Sequence, residues 1–542
     1  MSFAFVSRRS PVLARHGMVA ASQPLAAIAG VRIMMQGGNA ADAAIAVAAA
    51  LNVTEPTSTG LGGDFFALFY DAKTRAVTAL NGSGRAPAAL TIDLVRTQNL
   101  ASPVHQFSNP FHAHCVTVPG ACAGWCDFIE RHGTLPMSKI LAPAIALAEE
   151  GFPVAPATAH YWQRSEDTLR FALGGQALLI NGNAPRAGEI FRNLGLARTL
   201  RTIAQGGKSA YYKGEIAKSI TQAVQQSGGM MTLEDLATHE STWDTPISTT
   251  YRDVRVWECP PNGQGLAVLI ALNIIEGIDL KYHAPMSVER LHLLIEAMRL
   301  GFADTGWYVA DPKFSSAPLD GLLSKEYAAQ RLRLMHPYRA TLDTEHGAPV
   351  AGSDTVYFCV VDEQGNGASV INSNYMGFGT GIVPDGWGFS LQNRGANFSL
   401  DPAHPNALTP RKRPYHTIIP GMITHELDGS LYAPFGVMGG FMQPQGHVQV
   451  VVGMIDDELD PQDALDRPRF CLSEANPRSA VQLEEGIPKE IMDELARMGH
   501  QVIPVSGYSR AIFGRGQIIR REPDGTLWGG SDPRADGCAI GY

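Results

Sequence analysis

The junction Gly352-Ser353-Asp354-Thr355 holds the residues of this sequence that are best suited to covalent chemistry. A threonine hydroxyl is a weak nucleophile that needs an adjacent base. If the bond between Asp354 and Thr355 is cut, Thr355 gains a free α-amino group, whose reference pKa is about 7.7–8.0. Nucleophile and base then belong to one residue, as in the threonine form of N-terminal acyl transfer. The junction therefore predicts a proenzyme that cuts itself before Thr355 and then attacks amides.

The elements around the junction fit this chemistry, since a nucleophile at the start of a strand needs a cleavable loop before it. Residues 338–354 are polar and without periodicity, which is typical of an exposed linker. Residues 355–373 run as TVYFCVVD, a turn at EQGN, and GASVINSN, which predicts a β-hairpin. Most threonines that open a strand are only β-formers, so the non-catalytic interpretation of Thr355 stays open at this point.

The rest of the chain predicts helices first and strands later. Two Ala-rich helices follow Gly17, and Asn39 caps the second helix, with Asp42 in its first turn. Residues 65–80 alternate like two strands joined by a turn, and residues 119–240 are mainly helical. Short strands dominate after the junction. We therefore expect an α+β fold with antiparallel sheets.

Composition and charge argue against several classes of function. The 542 residues carry a formal net charge of −9, whereas nucleic-acid binding needs a basic face. We interpret the basic cluster Arg411-Lys412-Arg413 as a solvated loop. Seven scattered cysteines favour free thiols in a reducing compartment, and no signal-peptide pattern is seen, so we expect a cytoplasmic protein. No membrane span, metal-ligand pair or nucleotide loop is recognisable, so neither metal nor cofactor is expected.

Stretches spread from Gly17 to Tyr542 resemble, in order and spacing, the γ-glutamyltransferase family of Ntn hydrolases. They are GGNAADAAIA (37–46), EPTSTGLGGDFF (55–66), VPGACAGW (118–125), PAIALAEEGF (143–152), PPNGQG (260–265), TVYFCVVDEQGN (355–366), FGTGIVP (378–384), MGG (438–440) and SDPRADGCAIGY (531–542). The resemblance implies a four-layer αββα sandwich. It also implies a large subunit of residues 1–354 and a small subunit of residues 355–542, which form one domain as a heterodimer; a higher oligomer is left open.

The resemblance also assigns catalytic roles by motif match. Thr355 would be the nucleophile in both self-cleavage, which falls between Asp354 and Thr355, and substrate turnover. Ser373 takes the place of a family threonine whose hydroxyl steadies the nucleophile. Gly439 and Gly440 match a Gly-Gly pair whose backbone N–H groups form an oxyanion hole. A plain tight turn is the alternative interpretation of the two glycines.

The substrate-binding positions depart from the family pattern. Family members hold the substrate's α-carboxylate with an arginine, which Arg85 resembles, although a surface arginine is the alternative. They add a Ser-Ser pair, which is His416-Thr417 here. They hold the α-ammonium with an acidic residue and an asparagine, and this sequence has Asn397 and Tyr375 at those places. The expected substrate-binding set therefore has no acidic partner for an ammonium group.

Arg394 stands where the family usually has a neutral amide. A site that has gained a guanidinium and lost its acid favours carboxylates without a nearby amine. An ion pair between Arg394 and Asp401, or another local acid, is the alternative. The stretch from Gln392 to Pro420 resembles the cytoplasmic branch of the family that includes oxamate amidohydrolase, which releases ammonia from a small α-oxo amide with a carboxylate.

We therefore expect an amidohydrolase for a small carboxylate-bearing amide, with oxamate as the best single example and no cofactor. The expected partner is a small-molecule amide substrate, with no nucleic acid and no membrane. A γ-glutamyl hydrolase or transferase acting on glutathione, and an acylase for larger side chains, are the alternative enzymes. An unprocessed, inactive binding protein is the alternative outside enzymology.

Overall fold

The computed structural model describes residues 9–342, 354–474 and 478–542. Most of the predicted linker, residues 343–353, therefore lies outside the described residues.

The strands are β1 (Val12–Ala14), β2 (Met18–Ala21), β3 (Asp64–Asp71), β4 (Ala76–Gly82), β5 (Phe152–Pro153), β6 (Ile190–Phe191), β7 (Thr242–Asp244), β8 (Ile247–Tyr251), β9 (Val254–Glu258), β10 (Asp354–Val361), β11 (Gly367–Tyr375), β12 (Gly421–His425), β13 (Leu431–Met438), β14 (Phe470–Leu472), β15 (Val481–Glu484), β16 (Val502–Val505), β17 (Arg515–Arg521), β18 (Leu527–Ser531) and β19 (Cys538–Gly541).

The helices are α1 (Pro24–Met35), α2 (Ala40–Thr54), α3 (Ile92–Thr97), α4 (Ala121–His132), α5 (Met137–Ile140), α6 (Ala142–Glu150), α7 (Pro156–Arg164), α8 (Glu166–Phe171), α9 (Leu194–Tyr212), α10 (Glu215–Gln226), α11 (Leu233–Ala237), α12 (Gly265–Glu276), α13 (Val288–Tyr308), α14 (Leu319–Leu322), α15 (Lys325–Leu332), α16 (Met442–Ile455), α17 (Pro461–Asp466) and α18 (Lys489–Arg497). Short 3₁₀ helices lie at Ala113–Cys115, Gly175–Leu178, Leu280–Tyr282, Arg394–Asn397 and Gly507–Phe513.

Two large antiparallel sheets form the centre of the described structure. Sheet I has the strand order β19-β2-β10-β11-β3-β4-β7. Sheet II has the order β1-β18-β17-β13-β12-β9-β8. Each sheet combines strands from both sides of Thr355, so both predicted subunits contribute to both sheets.

The sheets pack face to face between two helical layers. Strands β10 and β11 of sheet I contact β13 and β17 of sheet II. Helices α1, α2 and α4 pack on sheet I, whereas α12, α16 and α17 pack on sheet II. Apolar side chains fill the contacts between layers because burying them is the main favourable term in folding. This arrangement confirms the predicted α+β class and the four-layer αββα sandwich.

Helix α2 shows how local sequence fits this architecture. Asn39 and Asp42 form a complete capping box at its start, as the sequence predicts. All of its residues are buried, and its many alanines keep it thin enough to lie between α1, α4 and sheet I. Over the described residues, no helix is both long and apolar enough to cross a membrane.

The predicted hairpin is β10 and β11, and it has an irregularity at its open end. Asp354 lies opposite Tyr375, but Val356 lies opposite Asn372, so β11 has one residue more than β10 across this step. Such a bulge bends the ladder and redirects the side chain beside it. The bulge places Thr355 next to Ser373.

The basic cluster Arg411-Lys412-Arg413 is not the solvated loop that the sequence predicts. Arg411 is exposed, but Lys412 and Arg413 are only 3% and 4% exposed. Arg413 donates to the Ser83 carbonyl and to the Thr242 hydroxyl. The expectation was wrong because charge-assisted hydrogen bonds to distant groups compensate for lost hydration, and local composition does not reveal those groups.

Candidate active site

Thr355 lies at the start of β10 and is fully buried in the continuous chain. Its Oγ1 lies 3.1 Å from Oγ of Ser373 on β11. The backbone N–H of Tyr375 donates to the same Ser373 oxygen at 2.9 Å. The structure thus brings the predicted nucleophile together with the hydroxyl that is predicted to steady it.

Arg394 places a buried guanidinium on the same serine. Its Nη2 donates to Ser373 Oγ at 3.0 Å, and its Nη1 donates to Thr417 Oγ1 at 2.7 Å. The guanidinium carbon lies 4.3 Å from the centre of the Tyr375 ring, which is a cation–π contact. Among the described contacts of Arg394, none is with Asp401, so its partners are two hydroxyl groups and a ring.

The charge of Arg394 is only indirectly compensated. Burial lowers the pKa of Arg394 to about 10, and the charge of Asp64 opposes this effect, so the guanidinium is protonated at neutral pH. Its Nε–H has no acceptor among the described residues. A buried cation with an unused donor is costly unless an anion joins it. The position therefore favours an incoming carboxylate.

Asp64 and His416 form a buried pair near the Arg394 guanidinium. His416 Nε2 lies 2.9 Å from Asp64 Oδ2, and the Ile418 N–H donates to His416 Nδ1. Burial, followed by the charge of Arg394, lowers the pKa of His416 to about 3, so the ring is neutral with its proton on Nε2. Burial alone would raise the Asp64 pKa, but the His416 hydrogen bond and Arg394 hold that pKa below its usual value. The pair is therefore an aspartate anion and a neutral histidine.

Sequence reasoning missed Asp64, although it chose His416 as a substrate-binding residue. The structure shows that the His416 side chain holds Asp64. The two residues are 352 positions apart, and β3 brings Asp64 into register with Ser373. The available signal was Asp64 itself, which ends the stretch EPTSTGLGGD. A carboxylate between glycines and a buried strand needs a hydrogen-bond partner.

Gly439 and Gly440 connect β13 to α16. Both have positive φ values, 135° and 61°, which favour glycine. Neither backbone N–H has an acceptor among the described residues. The carbonyl of Gly440 accepts from Gln264 Nε2 at 2.8 Å, which fixes the turn. The glycines form a tight turn, as the alternative proposed, and the same turn leaves two amide groups available for an oxyanion.

Arg515 and Glu55 form a second pair near Thr355 that sequence reasoning missed. Arg515 Nη2 donates to the Thr355 carbonyl at 3.5 Å, and its Nη1 lies 3.3 Å from Glu55 Oε1. Arg515 also pairs across the sheet with Met438, the residue before Gly439. Burial raises the pKa of Glu55 to about 7, against the opposing charge of Arg515. No motif signals this pair, because its members are far apart in sequence.

The other predicted substrate-binding residues divide into two groups. Tyr375 and Asn397 lie at the site: the Tyr375 hydroxyl donates to Asn397 Oδ1, while Asn397 Nδ2 donates to the Tyr415 carbonyl at 3.1 Å. Arg85 is not brought to the cluster by any described contact, and its Nη1 donates to the Glu240 carbonyl at 3.3 Å. Substrate binding by Arg85 stays a prediction.

Two cavities border residues of the cluster. A cavity of about 120 Å³ has Asn397 and Tyr415 in its wall. A larger cavity of about 600 Å³ has Gly439, Gly377 and Arg515 in its wall. The site is therefore bordered by a small space on the Asn397 side and a large one on the Gly439 side.

His292, Glu296 and His500 form the one group in the described chain with three side chains spaced like metal ligands. His292 Nδ1 lies 2.9 Å from His500 Nε2, as in a direct hydrogen bond. The Arg299 guanidinium lies against both Glu296 and His500. Its positive charge opposes a cation, so this group fits a buried hydrogen-bond network better than a metal site.

The Thr355 cluster is suited to acyl transfer. It holds the Thr355 hydroxyl at the start of a strand and the protonated Arg394, which donates to the same Ser373 oxygen that Thr355 contacts. The N–H groups of Gly439 and Gly440 have no acceptor among the described residues. After cleavage before Thr355, the α-amine would supply the base. The free N–H groups suit the oxygen of a tetrahedral intermediate.

Comparison with known proteins supports this chemistry. A family model described as gamma-glutamyltranspeptidase matches residues 26–542. The glutathione hydrolase-like YwrD proenzyme of Bacillus subtilis is 36% identical, over 98% of this chain and 99% of its own length. The oxamate amidohydrolase proenzyme of Klebsiella pneumoniae subsp. pneumoniae is 33% identical, over 97% of this chain and 98% of its own. A crystal structure of cephalosporin acylase from Bacillus halodurans is 46% identical, with a TM-score of 0.92, covering 100% of this chain and 98% of that one.

Proposed function

The chain belongs to the gamma-glutamyltranspeptidase family of Ntn hydrolases, which act on amide bonds, and we propose that it is a self-processing threonine amidohydrolase for short acyl groups carrying a carboxylate. Oxamate is the simplest such substrate. Thr355 is the proposed nucleophile, Gly439 and Gly440 the oxyanion donors, and Arg394 the carboxylate ligand.

One observation supports the proposed acyl specificity: the side chains of Thr355 and Arg394 both contact Oγ of Ser373. Since Thr355 Oγ1 and Arg394 Nη2 lie 3.1 and 3.0 Å from Ser373 Oγ, they are at most about 6 Å apart. A carboxylate bound to Arg394 therefore lies close enough to Thr355 for an acyl carbonyl only a few atoms away from it to reach the threonine hydroxyl. The adjacent carbons of oxamate fit this short separation.

The proposed maturation step uses the same groups. Thr355 Oγ1 attacks the carbonyl carbon of Asp354, the C–N bond breaks, and an ester links the two residues. Water then hydrolyses this ester, which leaves a carboxylate on Asp354 and a free α-amine on Thr355. The hydroxyl becomes available for substrate only after this step, because Thr355 is buried in the continuous chain.

In the proposed turnover, the α-amine takes the hydroxyl proton while Oγ1 attacks the amide carbonyl. The oxyanion accepts hydrogen bonds from the Gly439 and Gly440 N–H groups. The α-ammonium returns its proton to the departing nitrogen, so the C–N bond breaks and ammonia leaves. Water attacks the acyl ester with the amine as base, which releases oxalate and restores Thr355.

The charges of the site disfavour the γ-glutamyl alternative. The α-ammonium of a γ-glutamyl substrate would lie beside the buried Arg394 cation, with Asn397 where the family pattern has an acid. The Asp64 carboxylate is already engaged by His416 and by Gln392 Nε2, the latter at 3.0 Å. An unpaired ammonium in such a place is destabilised by several kcal/mol.

The first experiment is intact mass spectrometry of the purified protein and of Thr355→Ala. We expect two fragments separated between Asp354 and Thr355 in the wild type, and one intact chain in the variant. Thr355→Ser keeps a hydroxyl and should still cleave. An intact chain in all three samples would contradict self-processing and favour the inactive binding protein.

The second experiment tests Arg394 with two substrates. Oxamide differs from oxamate in having a second neutral amide instead of a carboxylate. We expect the wild type to prefer oxamate, and Arg394→Gln to lose most of this preference, by about 10- to 100-fold, as for a charge-assisted hydrogen bond. The ratio of the two rates does not depend on the amount of processed enzyme. An unchanged ratio, or faster cleavage of γ-glutamyl-p-nitroanilide than of oxamate, would contradict the proposed acyl specificity.

A further inference from the structure

Asp64 is a buried carboxylate at the site that takes no part in the proposed turnover. It is the first residue of β3 and is fully buried. Its Oδ1 accepts hydrogen bonds from the Gly84 N–H at 2.9 Å and from Gln392 Nε2 at 3.0 Å. Its Oδ2 accepts from His416 Nε2 at 2.9 Å. Three N–H donors favour the ionised form of a carboxyl group, so the site contains a fixed negative charge.

The charge of Asp64 is not cancelled by a cation in direct contact. Among the described residues its only ion-pair contact is with His416, whose ring is neutral. Glu55, another acid near Thr355, instead lies against the Arg515 guanidinium. A charge without a contact partner in a poorly hydrated interior acts over several ångströms more strongly than it would in water. The negative charge of Asp64 therefore acts on whatever binds in the site.

Asp64 lies close to both groups that a short acyl substrate would contact. It is opposite Ser373 in the ladder between β3 and β11. Side chains of such cross-strand partners lie on one face of the sheet, with Cβ atoms about 5 Å apart. Ser373 Oγ in turn lies 3.1 Å from Thr355 Oγ1 and 3.0 Å from Arg394 Nη2. The Asp64 Cβ is therefore within about 10 Å of the Thr355 hydroxyl and of the Arg394 guanidinium.

The charges of Asp64 and Arg394 balance each other before a ligand binds. Both side chains are fully buried, so salt screens their interactions only weakly. A carboxylate bound to Arg394 adds negative charge to the balanced pair, and Asp64 then opposes its binding. Oxamate carries one negative charge, whereas the product oxalate carries two. The repulsion from Asp64 is therefore larger for the product than for the substrate.

We propose that Asp64 is a specificity-determining residue whose charge limits the affinity of the site for doubly charged acyl products, so that oxalate leaves after each turnover. The inference rests on the proposed function and adds a role for a residue outside the predicted site. Release of product limits the turnover of many enzymes. At an effective dielectric constant of about 20, two unit charges about 10 Å apart repel each other enough to change affinity about 10-fold.

The test measures inhibition of ammonia release from oxamate by three ligands of increasing charge: neutral N,N′-dimethyloxamide, singly charged N-methyloxamate and doubly charged oxalate. Cleavage of the methylated ligands would give methylamine, which does not add to the ammonia signal. We expect Asp64→Asn to bind the neutral ligand no more tightly than the wild type does. It should bind the charged ligands more tightly, by about 10-fold for each ligand charge, and kcat should fall together with KM. Structural damage would instead weaken the binding of all three ligands.

The matched control is Asp42→Asn. Asp42 is also a fully buried carboxylate that accepts from backbone N–H groups, but it lies in the first turn of α2. This variant should have a lower Tm and wild-type inhibition constants. Asp64→Ser is a second neutral variant if Asp64→Asn is not processed. Affinities that do not rise with ligand charge in the Asp64 variant, or the same rise in Asp42→Asn, would overturn the proposal and leave the proposed function in place. If neither Asp64 variant is processed, wild-type enzyme that binds oxalate more than about 10-fold more tightly than N-methyloxamate would overturn it.

Failure of the proposed function gives a different result. If processed wild-type enzyme releases no ammonia from oxamate, the acyl assignment has failed, and calorimetric titration with oxalate replaces the inhibition measurement. Binding of oxalate that is about 100-fold tighter in Asp64→Asn than in the wild type, and unchanged in Asp42→Asn, still supports the role of the Asp64 charge. Equal binding by the three proteins, or no binding by any of them, would overturn that role.

Discussion

At the scale of single residues, the Ser373 hydroxyl organises the site. Its oxygen accepts from Arg394 Nη2 and from the Tyr375 N–H, and it lies 3.1 Å from Thr355 Oγ1. Ser373 therefore couples the proposed nucleophile to the proposed carboxylate ligand.

Ser373→Ala should lower kcat/KM for oxamate by about 10- to 100-fold, because Arg394 loses an acceptor and Thr355 a hydrogen-bond partner in a buried place. Ser369→Ala is the matched control, since Ser369 is also buried on β11, with its Oγ 2.9 Å from the Tyr357 hydroxyl. Steady-state kinetics should show the loss only in Ser373→Ala. Similar losses in both variants would indicate damage to β11 and contradict a specific role for Ser373.

At the scale of elements, the turn between β13 and α16 leaves two backbone N–H groups without acceptors among the described residues, which a regular strand or helix does not do. A strand and a helix each use their own N–H groups in regular hydrogen bonds. The positive φ values at Gly439 and Gly440 interrupt both patterns, and their N–H groups have no acceptor among the described residues. The proposed oxyanion hole is thus a property of this connection.

Gly439→Ala should lower kcat by at least about 10²-fold, the usual effect of losing one oxyanion donor, because an alanine strains the backbone at φ 135°. A Cβ at Gly439 would also lie 3.2 Å from Gly514 Cα. Gly429→Ala is the control, as Gly429 has φ 70° in the β12–β13 turn away from the site. Gly429→Ala should lower the Tm and leave kcat unchanged. A kcat near the wild-type value in Gly439→Ala would exclude the oxyanion role.

At the scale of the whole molecule, the two predicted subunits are interleaved. In sheet I, β10 lies between β2 and β11, and β19 lies on the other side of β2. In sheet II, four strands after Thr355 lie between β1 on one edge and the β9–β8 pair on the other. Separation of the subunits would break backbone ladders in both sheets and expose both apolar interlayer contacts.

The cleaved protein should therefore remain one particle without denaturant. We expect size-exclusion chromatography to give a single peak that contains both fragments, while a denaturing gel separates them. The fragments should dissociate only when the fold unfolds, because buried ladders and apolar contacts cannot be released locally. Separate elution of the fragments under native conditions would contradict this prediction.

The whole-molecule packing also predicts a pH effect on stability. His239 is 9% exposed, and burial, followed by the charges of Arg413 and Arg85, lowers its pKa to about 3, although Asp64 opposes this shift. In the unfolded chain the imidazole pKa is about 6.5. Between the folded-state pKa of about 3 and the unfolded-state pKa of about 6.5, only the unfolded chain takes up a proton on His239. The contribution of the neutral, buried imidazole to the free energy of unfolding is therefore complete above about pH 6.5 and falls as the pH is lowered.

His239→Gln removes this titration, so the variant should gain stability relative to the wild type in acid. The gain at pH 5 should be about 2 kcal/mol compared with pH 7.5. Calorimetric Tm values of both proteins at the two pH values measure it, and the difference variant minus wild type should rise at pH 5. A difference that is constant with pH would show that His239 takes up no proton on unfolding.

The sequence by itself determined the features that depend on neighbouring residues. The capping box of α2 and the hairpin of β10 and β11 were predicted correctly, because caps and turns are set by residues a few positions apart. Family motifs extended this to the αββα class, whereas the role of Thr355 stays a prediction. The subunit boundary at 354/355 and the cytoplasmic location stay predictions.

Only the tertiary structure decided which distant groups meet. His416 contacts Asp64 across 352 positions, and Arg515 contacts Glu55 across 460. It also buried Lys412 and Arg413. The reason is physical: a charged side chain is buried only where the packed sheets supply its partners, and strand order rather than local composition determines which partners those are.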